Sequence, residues 1–298
     1  MKILIADDDH VSVLYLRDAL EEWGYEVTVA SDGALAAEML QQPDAPMLAI
    51  IDWMMPGMDG VDVCRTVRES VKDRYIYMIM LTSRSETEFI VQAMNAGADD
   101  FIAKPFHAGE LQVRVRAGRR VIELEQELRR RATHDVLTGL VNRGAIMEVL
   151  QKELSRQKRA QHPVSVIFAD LDRFKAINDT WGHLAGDDVL REAASRMGRT
   201  LRPYDTFGRY GGEEMLVVLP NCDMQGAVEV AERMRSAMEA TPIATQAGDV
   251  PVTVSMGVAT VNREIHLESV AELLHRADTA LYRAKENGRN CIVVANDG

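Results

Sequence analysis

Three aspartates in the N-terminal part of the chain stand where buried strands are predicted to end. Asp7 and Asp8 follow one apolar run, and Asp52 closes another. In a sheet of parallel strands these ends meet at one edge, so the carboxylates form an oxygen-rich site suited to Mg²⁺. Asp52 can then act as a nucleophile toward a phosphoryl donor, with Lys104 offsetting charge on the transferred group. Taken singly, each aspartate is also an ordinary helix N-cap.

A second group of acids lies in the C-terminal half of the sequence. Asp170 and Asp172 end another apolar run, and Glu213 and Glu214 follow two glycines in a predicted hairpin. Glycines let backbone N–H groups approach a polyphosphate, and carboxylates from a neighbouring strand can hold metal over it. Gly-Gly-Glu-Glu alone is usually just a tight turn with solvated acids, so its interpretation depends on the motifs around it.

The elements that position the first group alternate between short apolar runs and segments with helical spacing. Five such repeats predict a parallel sheet with helices on both faces. Thr82 and Lys104 end the fourth and fifth runs, so they join Asp52 at the carboxyl edge of the sheet. The predicted strands are 3–6, 27–29, 47–51, 75–81 and 101–103.

A charged segment at 108–132 carries no strand signal and predicts one long connector helix. Ala117, Val121, Leu124 and Leu128 step by helical spacing and form an apolar seam along it. The segment is either a solvated connector or a short dimeric coiled coil, and about one and a half heptads do not decide between them.

The remainder of the chain mixes a predicted hairpin with helices. This pattern favours an α+β sheet with its helices packed mainly on one face. The hairpin is expected to turn at Gly211-Gly212. The predicted elements are strands at 164–171, 206–210, 214–219, 252–261 and 291–295, and helices at 224–240 and 269–286.

Composition limits the possible functions. The 298 residues suffice for two domains, and a formal net charge of −12 argues against binding to a nucleic acid polymer. Three widely spaced cysteines exclude a disulfide framework and a zinc ribbon. No apolar run is long enough for a signal peptide or a membrane span, so we expect a soluble, cytoplasmic protein.

Residues 1–120 resemble the receiver domain of two-component response regulators. The resemblance implies a flavodoxin-like α/β fold, with a histidine kinase as the source of the phosphoryl group. It is carried by Asp7-Asp8, by Asp52 with Met54-Met-Pro-Gly-Met-Asp-Gly60 after it, by Leu81-Thr82-Ser83 and by Lys104-Pro105-Phe106.

The same resemblance assigns roles to individual residues. Asp52 is the implied phosphoacceptor, and it holds Mg²⁺ together with Asp7 and Asp8. The implied switch residues, which respond to phosphorylation, are Thr82, Phe101 and Lys104.

Residues 133–298 resemble the GGDEF domain of diguanylate cyclases, joined to the receiver through the 108–132 helix. The implied fold is α+β and close to the nucleotide-cyclase catalytic core. The family joins two GTP into cyclic di-GMP and releases two pyrophosphates, and because each domain holds one GTP, the implied active form is a homodimer. The motifs are 135–143, Asp170-x-Asp172-x-Phe174-Lys175, Asn178-Asp179, 182–187, 211–214 and 280–290.

Carried over residue by residue, the family pattern implies a metal-dependent active site. Asp170 and Glu213 would bind Mg²⁺ beside the Leu171 carbonyl, and either Glu213 or Glu214 would assist deprotonation of the attacking hydroxyl. Met215 departs from the usual Phe, but it should face the core, where Met is a tolerated substitute. The implied substrate-binding residues are Phe174, Lys175, Gly211 and Gly212 around the nucleotide, Asn178 and Asp187 on the guanine, and Lys285 and Arg289 on the phosphates.

Arg202 and Asp205 match the family's inhibitory site, where product binds, with Arg233 as a third contact. Arg offers two donors to guanine O6 and N7, while Asp accepts from N1–H and the amino group. The pair alone is also an ordinary surface ion pair. The sequence thus predicts a phosphorylation-regulated diguanylate cyclase with product inhibition. Its alternative is a catalytically weak GGDEF domain that senses GTP or cyclic di-GMP.

Overall fold

The computed structural model describes residues 1–83, 87–160, 162–261 and 269–295. The chain divides into two compact units, Met1–Arg129 and Arg130–Gly298, and each is built around a five-stranded sheet. Among the described helices, none has both the length and the apolar character to cross a membrane.

The first unit is a doubly wound parallel sheet with strand order β2-β1-β3-β4-β5. Helices α1 and α5 cover one face and α2, α3 and α4 the other, so β3 and β4 are buried at every position. This confirms the predicted flavodoxin-like fold. The elements are β1 (Lys2–Ala6), α1 (His10–Glu22), β2 (Glu26–Ala30), α2 (Gly33–Gln41), β3 (Leu48–Asp52), α3 (Gly60–Ser70), β4 (Tyr77–Thr82), α4 (Thr87–Ala96), β5 (Asp100–Ala103) and α5 (Ala108–Thr133).

Helix α5 is the long helix that the charged segment predicts. Its inner face packs on the parallel sheet through side chains that include Leu111, Val115 and Ile122. The seam on another face is exposed in the single chain, with Leu124 at 55% and Leu128 at 62%. Large apolar side chains left in water at this spacing remain available to a second helix.

The second unit has the strand order β12-β11-β6-β8-β7, antiparallel except for β11 beside β12. A separate two-stranded hairpin, β9 with β10, accompanies this sheet. The elements are α6 (Arg143–Ala160), β6 (Val164–Leu171), α7 (Phe174–Trp181), α8 (His183–Gly198), β7 (Thr206–Gly211), β8 (Glu214–Pro220), α9 (Met224–Glu239), β9 (Ile243–Thr245), β10 (Gly248–Val250), β11 (Val254–Val261), α10 (Val270–Glu286) and β12 (Ile292–Val294).

The expectation that helices lie mainly on one face of this sheet is wrong. Along β6, Ile167 and Ala169 pack with α7, α8 and α9, whereas Val166 and Phe168 pack with α6 and α10. All eight residues of β6 are buried, and a strand buried throughout needs cover on both faces.

The hairpin between β7 and β8 also differs from its prediction by one residue. Gly211 is the last residue of β7, and the turn consists of Gly212 and Glu213, with Gly212 at φ +42°. The first turn residue therefore takes the left-handed backbone that glycine adopts without strain. Met215 follows on β8 and is 1% exposed, which confirms that this substitute for Phe faces the core.

Candidate functional sites

The three N-terminal aspartates come together as the parallel sheet requires. Asp7 and Asp8 follow β1, Asp52 ends the adjacent strand β3, and carboxylate oxygens of all three lie within 4.8 Å of one another. Asp7 and Asp52 are buried, while Asp8 is exposed. Hard carboxylate oxygens at this spacing are a donor set that suits Mg²⁺.

Lys104 supplies the positive charge beside these carboxylates. Its Nζ lies 2.9 Å from Asp7 Oδ2 and also pairs with Asp52. Burial raises the pKa of the Asp52 carboxyl, and Lys104 opposes that rise. Burial lowers the pKa of Lys104, but its bonds to Asp52 and Asp7 outweigh this and leave it raised. The lysine therefore remains a cation beside these two buried carboxylates.

The residues implied as switches lie on the two strands beyond Asp52. Thr82 ends β4 and is 2% exposed, and its carbonyl accepts a hydrogen bond of 2.7 Å from the Lys104 main-chain N–H. Phe101 on β5 is half-buried. Thr82 and Lys104 are thus joined through the main chain at the carboxyl end of the sheet.

The second acidic site is centred on the end of β6. Asp170 is 7% exposed, and its Oδ2 lies 2.8 Å from the Nζ of Lys285 on α10. The Leu171 N–H donates to the Glu213 carbonyl at 3.4 Å, which ties the hairpin turn to the strand end. Burial raises the pKa of the Asp170 carboxyl; Lys285 opposes this, and the Glu213 charge adds to it.

Glu214 begins β8 directly opposite Asp170 in the strand register. Burial and the charge of Asp170 raise the pKa of its carboxyl. Asp170, Glu213 and Glu214 are therefore neighbours around one strand end. Asp170 already pairs with the Lys285 ammonium group, and it lies near the Glu213 carboxylate and the Leu171 backbone. Together these oxygen atoms are a donor set that suits Mg²⁺.

Two residues that the sequence does not single out individually hold the hairpin turn. Arg209 on β7 donates to the Gly212 carbonyl at 2.9 Å and forms a 3.0 Å ion pair with Asp135. Burial alone would raise the pKa of the Asp135 carboxyl, but bonds from Thr138 and Arg209 lower it below its ordinary value. Arg209 thus connects Asp135, in the first motif of the second unit, to Gly212 in the hairpin turn.

Asn178 and Asp187, the residues implied to read guanine, lie on the adjacent helices α7 and α8. A methyl group placed on Gly186 would lie 1.9 Å from Asn178 Oδ1 and 3.3 Å from the Phe174 ring. Gly186 therefore lets the Asn178 amide lie against the first turn of α8, beside the half-buried Asp187. Lys175 is exposed on the short helix α7.

Arg289 lies in the turn after α10 and is exposed. It lines a cavity of about 460 Å³ together with Asp172, Arg173 and Trp181. Lys285, in the last turn of α10, therefore pairs with the Asp170 carboxylate, whereas Arg289, beyond the end of the helix, lines this cavity.

The implied product site is a surface turn. The Asp205 carboxylate accepts a 2.8 Å bond from the Arg202 main-chain N–H, while the guanidinium of Arg202 lies 3.0 Å from the Tyr204 hydroxyl. Arg233 on α9 donates to the Thr200 carbonyl at 3.4 Å. Arg202 and Asp205 thus share a turn through the backbone, and the exposed side chain of Arg202 bonds to Tyr204 within the same turn.

Each of the two units matches a known protein family. Residues 132–291 match the diguanylate cyclase GGDEF domain, and residues 3–116 match the response regulator receiver domain. The chain belongs to the GGDEF family. It carries a receiver domain before its GGDEF domain.

Relatives share one or both domains. Response regulator PleD of Caulobacter vibrioides is 32% identical over 255 residues, which cover 83% of this chain and 56% of PleD. Diguanylate cyclase DgcP of Pseudomonas aeruginosa is 39% identical over 170 residues, covering 57% of this chain and 25% of DgcP. The chain therefore spans little more than half the length of PleD.

Solved structures agree with the fold of the GGDEF domain. The coiled coil and GGDEF domain of DgcB from Caulobacter crescentus, in complex with c-di-GMP, superposes with a TM-score of 0.57 at 31% identity, covering 63% of this chain and 98% of that one. Diguanylate cyclase SiaD from Pseudomonas aeruginosa, in complex with its activator SiaC, gives 0.54 at 36% identity, covering 63% and 71%.

Proposed function

We propose that this protein is a diguanylate cyclase that condenses two GTP into cyclic di-GMP under the control of phosphorylation at Asp52. The observation that carries the proposal is the convergence of Asp170, Glu213 and Lys285 at the end of β6. The site also adjoins a turn whose first residue, Gly212, has no side chain to block a phosphate.

In this function Asp170, Glu213 and the Leu171 carbonyl hold Mg²⁺, which when bound stabilises negative charge on the reacting phosphate. Lys285 leaves Asp170 for the triphosphate, where it acts as a mobile point charge. Asn178 and Asp187 select guanine, because a carboxylate accepts from N1–H and the amino group, a donor pair that adenine lacks. Glu213 or Glu214 accepts the proton of the 3′-hydroxyl that attacks the α-phosphorus.

The active form is a homodimer, because each GGDEF domain supplies one GTP and the two must face each other. The exposed seam at Val121, Leu124 and Leu128 supports pairing of α5 helices. An acyl phosphate on Asp52 carries about −1.5 to −2 charge units beside Lys104 and Thr82, in place of the single negative charge of the carboxylate. A histidine kinase would therefore act through this site. Cyclic di-GMP at Arg202, Asp205 and Arg233 then restrains the enzyme.

The test is incubation of the full chain with GTP and Mg²⁺, with and without acetyl phosphate, and identification of products by mass spectrometry. We expect cyclic di-GMP and pyrophosphate, in an amount that changes with the acyl phosphate donor. Absence of cyclic di-GMP from both samples would overturn the enzyme assignment. Binding of GTP without turnover would instead favour a sensing module.

A further inference from the structure

Asp172 is a buried carboxylate that the proposed chemistry does not use. It is 6% exposed, and both of its oxygens accept hydrogen bonds. Oδ1 accepts from the Ser255 hydroxyl at 2.6 Å, and Oδ2 accepts from the Thr253 hydroxyl at 2.7 Å and from the main-chain N–H of Asn290 at 3.0 Å. The third bond connects the end of β6 to the turn that follows α10.

That turn has an uncommon backbone. Gly288, Arg289 and Asn290 have φ values of +107°, +69° and +48°. A left-handed conformation is unfavourable for a residue other than glycine, and it persists only where neighbouring groups hold it. The Arg289 N–H also bonds to the Ala284 carbonyl at 3.1 Å, which fixes the start of the turn to α10.

The side chain of Asn290 is held from another direction. Its Oδ1 accepts from Arg235 on α9 at 3.0 Å, and its Nδ2 donates to Glu239 at 2.9 Å. The main chain of Asn290 is therefore anchored to Asp172 and its side chain to α9. Arg289, the preceding residue, has little freedom to move its backbone while both anchors hold.

Arg289 needs such anchoring if it is to bind phosphate. Its guanidinium is at the end of a long flexible side chain. The group binds two phosphate oxygens at once more readily when the backbone of Arg289 is held in place. We infer that Asp172 is a positioning residue that holds the turn so that Arg289 faces the β- and γ-phosphates of the nucleotide. This inference rests on the proposed function, in which the GGDEF domain binds GTP.

Binding measurements on the full chain test the inference without requiring turnover. The probes are 3′-deoxy-GTP, which lacks the attacking hydroxyl, and GMP, which lacks the β- and γ-phosphates, each titrated by calorimetry with Mg²⁺. We expect Asp172→Ala and Arg289→Ala each to weaken 3′-deoxy-GTP about tenfold and to leave GMP binding unchanged. The double variant should be no weaker than Arg289→Ala, because both substitutions remove one interaction.

Matched variants separate positioning from general stability. Thr253→Val removes another hydrogen bond to Asp172 but keeps that of Asn290, so its ratio of 3′-deoxy-GTP to GMP affinity should equal that of the wild type. Asp172→Asn keeps an acceptor for the Asn290 N–H and should restore most of the affinity. Should Asp172→Ala not fold, Asp172→Ser replaces it, because its hydroxyl is one bond too short to reach Asn290.

Two results would overturn the inference: losses that multiply in the double variant, or an equal loss of GMP and 3′-deoxy-GTP affinity. Both leave the proposed function intact as long as the wild-type chain binds 3′-deoxy-GTP. A wild-type chain that binds neither nucleotide would overturn the proposed function and this inference with it.

Discussion

The two acidic sites use the same residue types on different backbones. In the receiver, carboxylates follow the parallel strands β1 and β3, and the lysine follows β5 of the same sheet. In the GGDEF domain, the carboxylates lie at the end of the antiparallel strand β6 and on a hairpin turn, and the lysine comes from helix α10. Both lysines pair with a buried aspartate.

This difference accounts for how complete each site is. Adjacent parallel strands end at one edge, so the topology alone brings Asp7, Asp8 and Asp52 within 4.8 Å. In the GGDEF domain the hairpin turn brings Glu213 to the end of β6, where the Leu171 N–H donates to the Glu213 carbonyl. The receiver thus builds a whole site within one domain, whereas the proposed cyclase reaction needs a second domain to bring the other GTP.

The largest expected effect is on the second site. Asp170→Asn removes a buried carboxylate that the proposed mechanism uses to hold Mg²⁺, so cyclic di-GMP synthesis should fall by about 10²- to 10³-fold. Pyrophosphate release under saturating GTP measures the loss. Asp249→Asn, at an exposed position on β10, is the matched control and should retain wild-type activity. An Asp170→Asn variant with more than about a tenth of the wild-type rate would contradict the assignment.

How well the sequence predicts these sites depends on whether topology or detailed packing sets them. The receiver strands and the cluster of Asp7, Asp8 and Asp52 are predictable, because buried apolar runs and strand ends are local signals. The turn at Gly212-Glu213 is not, because two consecutive glycines allow either register. The β9–β10 hairpin is missed since its strands are only three residues long.

Contacts between distant residues are the part that sequence reasoning could not supply. Nothing in the spacing of Asp172 indicates that it bonds to Asn290, and nothing in that of Arg209 indicates that it reaches Asp135. The cover on both faces of β6 is a partial exception. The four consecutive apolar residues at 166–169 are a usable signal of burial on both faces, but the hairpin pattern around them favours a sheet with one exposed face.

Regulation by product should belong to the second unit alone. Arg202→Ala removes the two-donor contact that we propose for guanine, so the concentration of cyclic di-GMP that halves activity should rise about 30-fold. Titrating product against the initial rate measures this. Arg199→Ala, exposed on the same connection, should leave the titration unchanged, as should Asp52→Asn. An unchanged curve for Arg202→Ala would show that these residues form only a surface turn.

Regulation by phosphorylation should require the first site and leave the second intact. Asp52→Asn cannot form an acyl phosphate, so acetyl phosphate should add no phosphoryl mass and should change neither oligomeric state nor activity. In the wild type we expect a change in rate on the order of tenfold, since allosteric coupling is commonly about 1–3 kcal/mol. Asp73→Asn, at an exposed position in the receiver, is the control. A response that persists in Asp52→Asn would place the phosphoryl group elsewhere.

The smallest expected effect is on the free energy of unfolding, which a buried carboxylate at each site lowers at neutral pH. Burial raises the pKa of both Asp52 and Asp170 above the ordinary 3.8. A carboxyl with a raised folded-state pKa contributes stability that is fully present below pH 3.8 and is lost as the pH rises through its folded-state pKa. Without divalent cations, Asp52→Asn and Asp170→Asn should therefore each raise the free energy of unfolding at pH 7 by about 1 kcal/mol.

Denaturant unfolding of the variants, from pH 3.8 upward and then at pH 7 with added Mg²⁺, measures this cost. Each substitution should flatten the decline in stability with pH, and Lys104 keeps Asp7 as a partner when Asp52 is neutral. Mg²⁺ should stabilise the wild-type receiver more than the GGDEF domain, because three carboxylates converge there. Equal stabilisation of both domains would mean that the hairpin site binds the cation as completely as the strand-end site, without a second domain or nucleotide.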